Sequence, residues 1–285
     1  MQNLDFENTK TCSKYSIRIG DKLIDLSTPL AMGIVNITPD SFYATSRTDT
    51  RDELISRVEQ MLTEGVSIVD IGGYSSRPGA KDVSIEDEIK RIVPAVQAIS
   101  EAFPDLTISI DTFRSEVADA ALTHGAHIIN DISGFSIDPK IIHVAAKHNA
   151  PYILMHMRGT PQTMQTLTNY ENLFREIATY FSKKISQLQD AGVNDIILDP
   201  GFGFSKTLTQ NHQLLDHLEH FHFLEKPILA GLSRKSMIYK KINSTPDSVE
   251  TLQETTRLNQ VALKKGAHIL RVHDVKEAVE LITKN

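Results

Sequence analysis

Eight short segments rich in apolar residues recur along the chain, with stretches of helical spacing between them. Most of the segments are continuously apolar rather than alternating in polarity, which is typical of parallel strands that are covered on both faces. The segments are Leu30–Thr38, Ile68–Gly73, Thr107–Thr112, His127–Ser133, Pro151–His156, Asp195–Gly201, Pro227–Ser233 and Ala267–His273. The pattern predicts eight consecutive β-α units, and therefore an α/β protein.

A glycine ends the helical pattern in four of these units. Gly65, Gly125, Gly192 and Gly266 each stand between a helical pattern and the next strand, and glycine at that position supplies the left-handed turn that ends a helix. This weak internal repeat favours one domain over two. Eight units in succession favour closure into a single (β/α)8 TIM barrel over an open doubly wound sheet.

Capping residues mark the starts of two predicted helices. Thr50 with Glu53, and less strongly Ser84 with Asp87, have the spacing of a side chain that accepts a hydrogen bond from a backbone N–H in the first helical turn. We therefore expect these two helices to begin just after Thr50 and Ser84.

The segment before the first barrel strand has a different pattern. Ile17 and Ile19 precede a turn at Gly20, and a second apolar run follows it, which is typical of a β-hairpin. We expect this hairpin to plug the amino-terminal end of the barrel. The predicted division is an extension and hairpin over residues 1–28 and the barrel over residues 29–285.

Composition narrows the class of protein. The 285 residues carry 30 Lys and Arg against 36 Asp and Glu, a formal charge of −6, so the basic surface of a nucleic-acid binder is missing. The single cysteine, Cys12, cannot form an internal disulfide. Neither a signal peptide nor an apolar run of roughly 20 residues is visible. We expect a soluble, cytoplasmic protein with no nucleic-acid or membrane partner.

Polar side chains end every predicted strand, where the catalytic residues of such barrels lie. They are Asn36, Asp70, Asp111, Asn130 with Asp131, His156, Asp199, Ser233 with Lys235 just beyond it, and Arg271 with His273. Any one of them alone could simply cap a helix. Eight together predict a functional site, because charges at a barrel mouth cost several kcal/mol each to desolvate without a partner or ligand.

The motifs that are missing exclude several chemistries. The chain has no Gly-x-Ser-x-Gly elbow, no cysteine at a strand end and no HExxH cluster. The stretch with His212, His217, His220 and His222 belongs to a helix whose buried stripe is formed by leucines and a phenylalanine. We therefore interpret its histidines, in particular His212 and His220, as a solvated face rather than a metal site.

Two loops and the last strand carry candidate binding groups. The loop 72–79 combines glycines, hydroxyls and Arg77, which suits the close approach of an anion, and the loop 199–204 places two aromatic residues beside an acid. Arg271 and His273 lie on one face of the last strand, and the loops after strands seven and eight of such barrels often bind phosphate. A salt-bridged Arg271 is the alternative reading.

Read together, the strand-end motifs resemble those of the dihydropteroate synthase family, in the family's order from the first strand to the eighth. The matching runs are Met32–Phe42, Asp70–Gly79, Ile110–Thr112, Asn130–Ile132, Leu154–Met157, Leu198–Phe204, Gly231–Ser236 and Arg271–Asp274. The resemblance implies a transferase of folate biosynthesis and a sulfonamide target. It would condense 6-hydroxymethyl-7,8-dihydropterin diphosphate with para-aminobenzoate to 7,8-dihydropteroate and pyrophosphate, with Mg2+ as cofactor and a homodimer as the assembly.

The resemblance also implies roles for individual residues. The pterin would be bound by Asp111, Asn130, Asp199 and Lys235. The diphosphate would be bound by Asn36, Arg271 and His273, with Asn36 also a Mg2+ ligand. The para-aminobenzoate pocket would be formed by Phe42, Ser76, Arg77, Pro78, Phe204 and Ser233. The catalytic set would be Asn36, Asp111, Lys235, Arg271 and His273.

The sequence departs from the family pattern at several loop positions. Residues 43–46 replace the usual Ser-Asp-Gly-Gly, Tyr74 replaces glutamate, Ser76 replaces threonine and Ser205 replaces glycine. The altered first loop is the one feature that favours a non-catalytic pterin-binding paralogue. A methyltetrahydrofolate-binding methyltransferase, which would not need Arg271 and His273 for a diphosphate, and a structural partner of another folate enzyme are further alternatives.

Overall fold

The structure is a computed structural model that describes residues 15–37, 47–74 and 83–284. Eight parallel strands form one sheet in the order β8-β7-β6-β5-β4-β3-β10-β9, and a parallel bridge between Leu198 and Ile228 brings its two edges together. The strands are β1 (Ser16–Ile19), β2 (Lys22–Asp25), β3 (Leu30–Asn36), β4 (Ile68–Gly72), β5 (Thr107–Asp111), β6 (Ile128–Asp131), β7 (Tyr152–Met155), β8 (Ile196–Asp199), β9 (Leu229–Ala230) and β10 (Ile269–Val272). The prediction of a (β/α)8 barrel is confirmed.

Helices lie between successive barrel strands and cover the outside of the sheet. They are α1 (Arg47–Thr63), α2 (Ile85–Ala102), α3 (Ser115–Thr123), α4 (Ile141–His148), α5 (Leu173–Asp190), α6 (Leu208–Asp216), α7 (Ser236–Tyr239), α8 (Val249–Lys264) and α9 (Val275–Thr283). Two 3-10 helices span Met164–Thr166 and Leu218–Leu224. Within the described ranges, none of the helices has both the length and the apolar character needed to cross a membrane.

The hairpin of β1 and β2 closes one end of the barrel, as predicted. Ile17, Ile19 and Leu26 are buried in one apolar cluster with residues near the starts of seven barrel strands. This inner cluster fills the amino-terminal end of the barrel. The larger apolar cluster, which holds most of the other buried side chains, lies between the strands and the outer helices.

The predicted helix ends are confirmed, and one predicted helix start is wrong. Gly65, Gly125, Gly192 and Gly266 all have positive φ, between 84° and 111°. Ser84 caps α2 by accepting a hydrogen bond from the backbone N–H of Asp87, but α1 begins at Arg47. Thr50 is therefore inside α1 rather than at its N-cap.

Strand β9 is the shortest part of the barrel wall. The apolar run from Pro227 to Ser233 predicts seven residues, whereas only Leu229 and Ala230 form the strand. They pair with two residues of β10, and the contact with β8 is the single bridge at Ile228. Ser233 and Lys235 consequently lie on a loop beyond the sheet.

Candidate active site

Arg271 forms the centre of a charged cluster at the carboxyl end of the barrel. Its Nε donates to Asp70 Oδ2 and its Nη2 donates to Asp111 Oδ2, each at 2.6 Å. Asn130 Nδ2 also donates to Asp70 Oδ2, at 2.9 Å. Because β4, β5, β6 and β10 are all parallel, their carboxyl ends bring these four side chains to the same end of the barrel. The salt-bridged alternative for Arg271 is therefore the observed arrangement.

Asp70 and Asp111 differ in their surroundings although they share Arg271. The Asp70 side chain is fully enclosed, and its Oδ1 has no hydrogen-bond partner. The Asp111 side chain is 22% exposed. Burial raises the pKa of Asp111 to about 7, against the opposing effect of Arg271 and with a further increase from the carboxylate of Asp70. Asp111 therefore titrates near neutral pH at the edge of the open mouth.

Asp199, Lys235 and Arg271 converge on Gly231. A Cβ at Gly231 would lie 3.7 Å from Lys235 Nζ, 3.8 Å from Asp199 Oδ2 and 4.0 Å from Arg271 Cβ. Burial raises the pKa of Asp199, although Lys235 opposes the shift, and burial lowers the pKa of Lys235 to about 8, although Asp199 opposes it. A carboxylate and an ammonium thus flank one position, which suits a planar ligand with both donors and acceptors.

His273 and Ser233 bind each other across the loops that follow β9 and β10. Ser233 Oγ lies 3.0 Å from His273 Nδ1 and accepts from the His273 backbone N–H at 3.1 Å. Burial, together with Arg271, lowers the pKa of His273 to about 4. His273 is therefore neutral at pH 7. Because the Ser233 hydroxyl can donate to Nδ1, we assign the ring proton to Nε2, where it can be donated to a ligand.

The predicted para-aminobenzoate residues fall into two groups. Ser233 lies beside His273, and Phe204 has its ring 4.8 Å from Lys235 Nζ, within an apolar cluster that also contains Tyr74. The remaining members of the predicted pocket lie outside the described residues; they are Phe42, Ser76, Arg77 and Pro78. The altered residues 43–46 lie outside as well.

Two of the strand-end polar residues have their hydrogen-bonding atoms engaged inside the protein. Asp131 accepts hydrogen bonds from the backbone N–H groups of Ser133 and Phe135 and from the hydroxyl of Tyr152, at 2.5 to 2.7 Å. His156 Nδ1 lies 3.1 Å from Lys206 Nζ. Neither residue caps a helix: Asp131 braces the turn that follows β6, and His156 contacts a buried lysine.

Two residues with clear structural roles at the site are not among the predicted catalytic and binding residues. The first is Asp70, which is predicted only as a strand-end polar residue. Its pairing with Arg271 spans 201 positions of sequence and is not visible in any local pattern. Lys206 is buried and donates to the carbonyls of Gly201 and Phe204, both at 3.0 Å, and burial lowers its pKa to about 7. Lys206 thereby braces the loop that follows Asp199.

The histidine-rich segment differs in part from its prediction. The leucines and Phe221 of its stripe are buried as expected, but His212 is half-buried rather than facing outward. The ligand atoms of His217, Glu219 and His220 lie within 4.8 Å of one another, an arrangement that could hold a metal ion. The Glu219 carboxylate is already paired with Lys265 at 2.8 Å.

Oxygen donors at the mouth suit a hard divalent cation. Asn36 is exposed at the end of β3, and a Cβ at Gly72 would lie 3.7 Å from Asn36 Oδ1 and 3.8 Å from Asp111 Oδ2. Mg2+ is commonly held by one or two protein oxygens together with waters and substrate phosphates. The amide oxygen of Asn36, beside a carboxylate and an open mouth, therefore fits Mg2+.

Comparisons with known proteins agree over the whole barrel. A family model described as "Pterin binding enzyme" matches residues 32–273. The dihydropteroate synthase of Escherichia coli is 43% identical over 259 residues, which is 90% of this chain and 90% of the relative. The similarity therefore extends from β3 to β10.

Solved structures give the same result. The Yersinia pestis dihydropteroate synthase, crystallised with a sulfonamide drug complex, has a TM-score of 0.87 at 40% identity and covers 95% of this chain and 98% of its own. The Xanthomonas albilineans dihydropteroate synthase with 4-aminobenzoic acid has a TM-score of 0.86 at 33% identity, covering 95% and 97%. Both likenesses include the strands that carry the charged cluster.

Proposed function

The chain belongs to the pterin binding enzyme family, and from that premise we propose that its barrel mouth catalyses the dihydropteroate synthase reaction. This transferase joins para-aminobenzoate to 6-hydroxymethyl-7,8-dihydropterin diphosphate and releases pyrophosphate and 7,8-dihydropteroate. The observation that carries the assignment of the site is the position beside Gly231 on which Asp199, Lys235 and Arg271 converge. The donors and acceptors there are those that a pterin requires.

The pterin occupies this position. Asp199 accepts paired hydrogen bonds from the aminopyrimidine edge, a charge-assisted bidentate contact. Asn130 and Asp111 hold the opposite polar edge, and Lys235 donates to the pterin carbonyl. The close packing of these groups supports the assignment, because Asn130 is tied to Asp70 at 2.9 Å and Lys235 to the carbonyl of Phe202 at 2.5 Å. The polar groups are thus oriented before the ligand arrives.

The diphosphate binds at the ends of β3 and β10. Arg271 has five N–H donors, of which its bonds to Asp70 and Asp111 use two, so donors are left for the phosphate oxygens. His273 donates from Nε2 as a neutral ring. Asn36 would hold Mg2+ there, and the ion when bound supplies positive charge that stabilises the pyrophosphate leaving group.

The chemistry follows from where charge develops. Breaking the carbon–oxygen bond leaves positive charge on the pterin and negative charge on the pyrophosphate. Arg271 and His273 stabilise the leaving group, and the ionised Asp111 stabilises the pterin cation. The amine of para-aminobenzoate then attacks the cation from the side of Phe204 and Ser233. The resulting ammonium loses its proton to water, and no strong general base is needed because the amine is only weakly basic.

The homodimer, which rests on the family resemblance, and the cytoplasmic location, which rests on the composition, are also proposals. Light scattering of the purified chain tests the first: a mass near 63.6 kDa, twice the 31.8 kDa of the chain, supports the dimer. A mass of one chain at micromolar concentration would contradict it.

Pyrophosphate release tests the proposed reaction against its alternatives. The purified chain is incubated with 6-hydroxymethyl-7,8-dihydropterin diphosphate, with and without para-aminobenzoate and Mg2+. Release that depends on both additions supports the synthase. Pterin binding without any release would identify the non-catalytic paralogue, and methyl transfer from methyltetrahydrofolate would identify the methyltransferase.

A further inference from the structure

The loop that carries Ser233 and Lys235 has little support from the barrel sheet. Strand β9, which precedes it, consists of only Leu229 and Ala230, and its neighbours hold it by two register pairs on one side and one bridge on the other. The position of Lys235 therefore depends on contacts made beyond the end of the strand.

Arg234 makes the strongest of these contacts. Its Nε donates to Asp274 Oδ2 at 2.9 Å and its Nη2 donates to Asp274 Oδ1 at 2.7 Å, so the pair is bidentate. Arg234 Nη1 also donates to the carbonyl of Pro246 at 2.9 Å. Each side chain of the ion pair is 19% exposed. A planar guanidinium in this geometry fixes orientation as well as distance, which a lysine would not do.

The backbone at Arg234 is also unusual. Its φ is +54°, in the left-handed region that residues with a Cβ rarely adopt. Its neighbours Ser233 and Lys235 both contact groups of the proposed site, whereas the Arg234 guanidinium contacts the loop after β10. The left-handed turn thus directs the Arg234 side chain differently from the side chains of Ser233 and Lys235.

Two adjacent contacts join the loops after β9 and β10. Ser233 bonds to His273, and the next residues, Arg234 and Asp274, form the ion pair. We propose that Arg234 and Asp274 are a positioning pair that fixes Lys235 against the pterin and His273 against the diphosphate without touching either ligand. This role rests on the proposed function of the site.

Two single variants and their combination test the pair. Arg234→Gly removes the guanidinium and leaves a residue that adopts φ +54° without strain, and Asp274→Asn removes the charge with little change of shape. Each is expected to lower kcat about 10- to 100-fold, because a misplacement of about 1 Å in an active site can have an effect of that size. The double variant is expected to be no slower than the singles, because both act through one contact. The swap Arg234→Asp/Asp274→Arg is expected to recover much of the rate.

A matched ion pair elsewhere provides the control. Arg257 and Glu254 on α8 are also bidentate, at 2.7 and 2.8 Å, but both belong to one helix and join no loops. Arg257→Ala is expected to keep the wild-type kcat. Thermal unfolding of every variant and the number of pterin sites per chain, titrated with 6-hydroxymethylpterin, show how much of each sample is folded.

The outcomes separate positioning from stability and from the proposed function. Folded Arg234→Gly and Asp274→Asn with wild-type kcat per pterin site would overturn the proposal, as would failure of both to fold. Purely additive effects with no recovery in the swap would overturn it as well. A wild-type chain that releases no pyrophosphate would instead refute the proposed function.

Discussion

Asp70→Asn probes the charged cluster most sharply, because it removes one negative charge from a fully buried position. Asp70 accepts from Arg271 at 2.6 Å and from Asn130 at 2.9 Å. Removing one member of a buried ion pair typically costs about 3–5 kcal/mol. Arg271 keeps Asp111 at 2.6 Å, and an amide oxygen in the place of Asp70 Oδ2 has two lone pairs and can still accept from both Arg271 and Asn130. We therefore expect a loss of about 3 kcal/mol, at the lower end of that range.

The same substitution changes the pH dependence of the reaction. The wild-type pKa of Asp111 is raised to about 7, in part by the charge of Asp70. Ionised Asp111 is needed in the proposed reaction, so kcat/KM of the wild type is expected to fall as the pH drops below about 7. Without the neighbouring charge the pKa of Asp111 decreases, so in Asp70→Asn this acid limb moves to lower pH, even though the enzyme is slower overall.

Urea unfolding and kcat/KM profiles between pH 5 and pH 9 measure the two effects. Because the folded-state pKa of Asp111 lies above its ordinary value of 3.8, the contribution of Asp111 to stability decreases as the pH rises from about 4 to about 7. The unfolding comparison is therefore made at pH 8, above this range. Asp119→Asn serves as the control, since Asp119 pairs with Lys147 on the surface. An acid limb that stays near pH 7 in Asp70→Asn, or moves in Asp119→Asn, would refute the reasoning.

Three further predictions address other parts of the mouth. Lys235→Ala abolishes turnover in the pyrophosphate assay. Because burial lowers the pKa of Lys235 to about 8, the wild-type rate declines as the pH rises above about 8 and Lys235 loses its proton. Gly231→Ala places a Cβ beside Asp199 Oδ2 and Lys235 Nζ with no contact shorter than 3.7 Å, so calorimetry shows weakened 6-hydroxymethylpterin binding with unchanged urea unfolding. Gly201→Ala places a Cβ 2.1 Å from the His156 carbonyl oxygen and greatly lowers the free energy of unfolding. In Gly192→Ala the nearest atom to the added Cβ is 3.9 Å away, so the free energy of unfolding decreases by only about 1–2 kcal/mol, because of the positive φ.

Each of these predictions has a definite contrary result. Normal turnover in Lys235→Ala would contradict the assignment of the site. Wild-type pterin affinity in Gly231→Ala would place the pterin elsewhere, and equal stability of Gly201→Ala and Gly192→Ala would show that the close carbonyl has no effect.

The barrel could be predicted from the sequence because each strand is buried on both faces and therefore reads as a continuous apolar run. The ends of the strands could not be predicted in this way, since backbone pairing stops before the apolar pattern does. The clearest case is β9, where seven residues are predicted and Leu229 and Ala230 alone form the strand. The start of α1 also differs from the predicted one, because a favourable cap at Thr50 does not prevent a helix from starting earlier.

The site residues were visible as polar groups at strand ends, but their partners were not. A salt-bridged Arg271 is one of the two readings that the sequence leaves open, but the sequence names no partner for it. The structure pairs Arg271 with two carboxylates and leaves His273 neutral. Such pairings join residues far apart in the chain, as with the 201 positions between Asp70 and Arg271. Periodicity within one segment carries no information about them.

The most direct test of the central claim follows the oxygen that bridges carbon and phosphorus in the dihydropterin diphosphate. The substrate is labelled with 18O at that position and converted by the wild-type chain with para-aminobenzoate and Mg2+. Mass spectrometry is predicted to find the label in the released pyrophosphate, together with one 7,8-dihydropteroate for each pyrophosphate. Label retained on a hydroxymethyl pterin, or the absence of dihydropteroate, would contradict carbon–oxygen cleavage at this site.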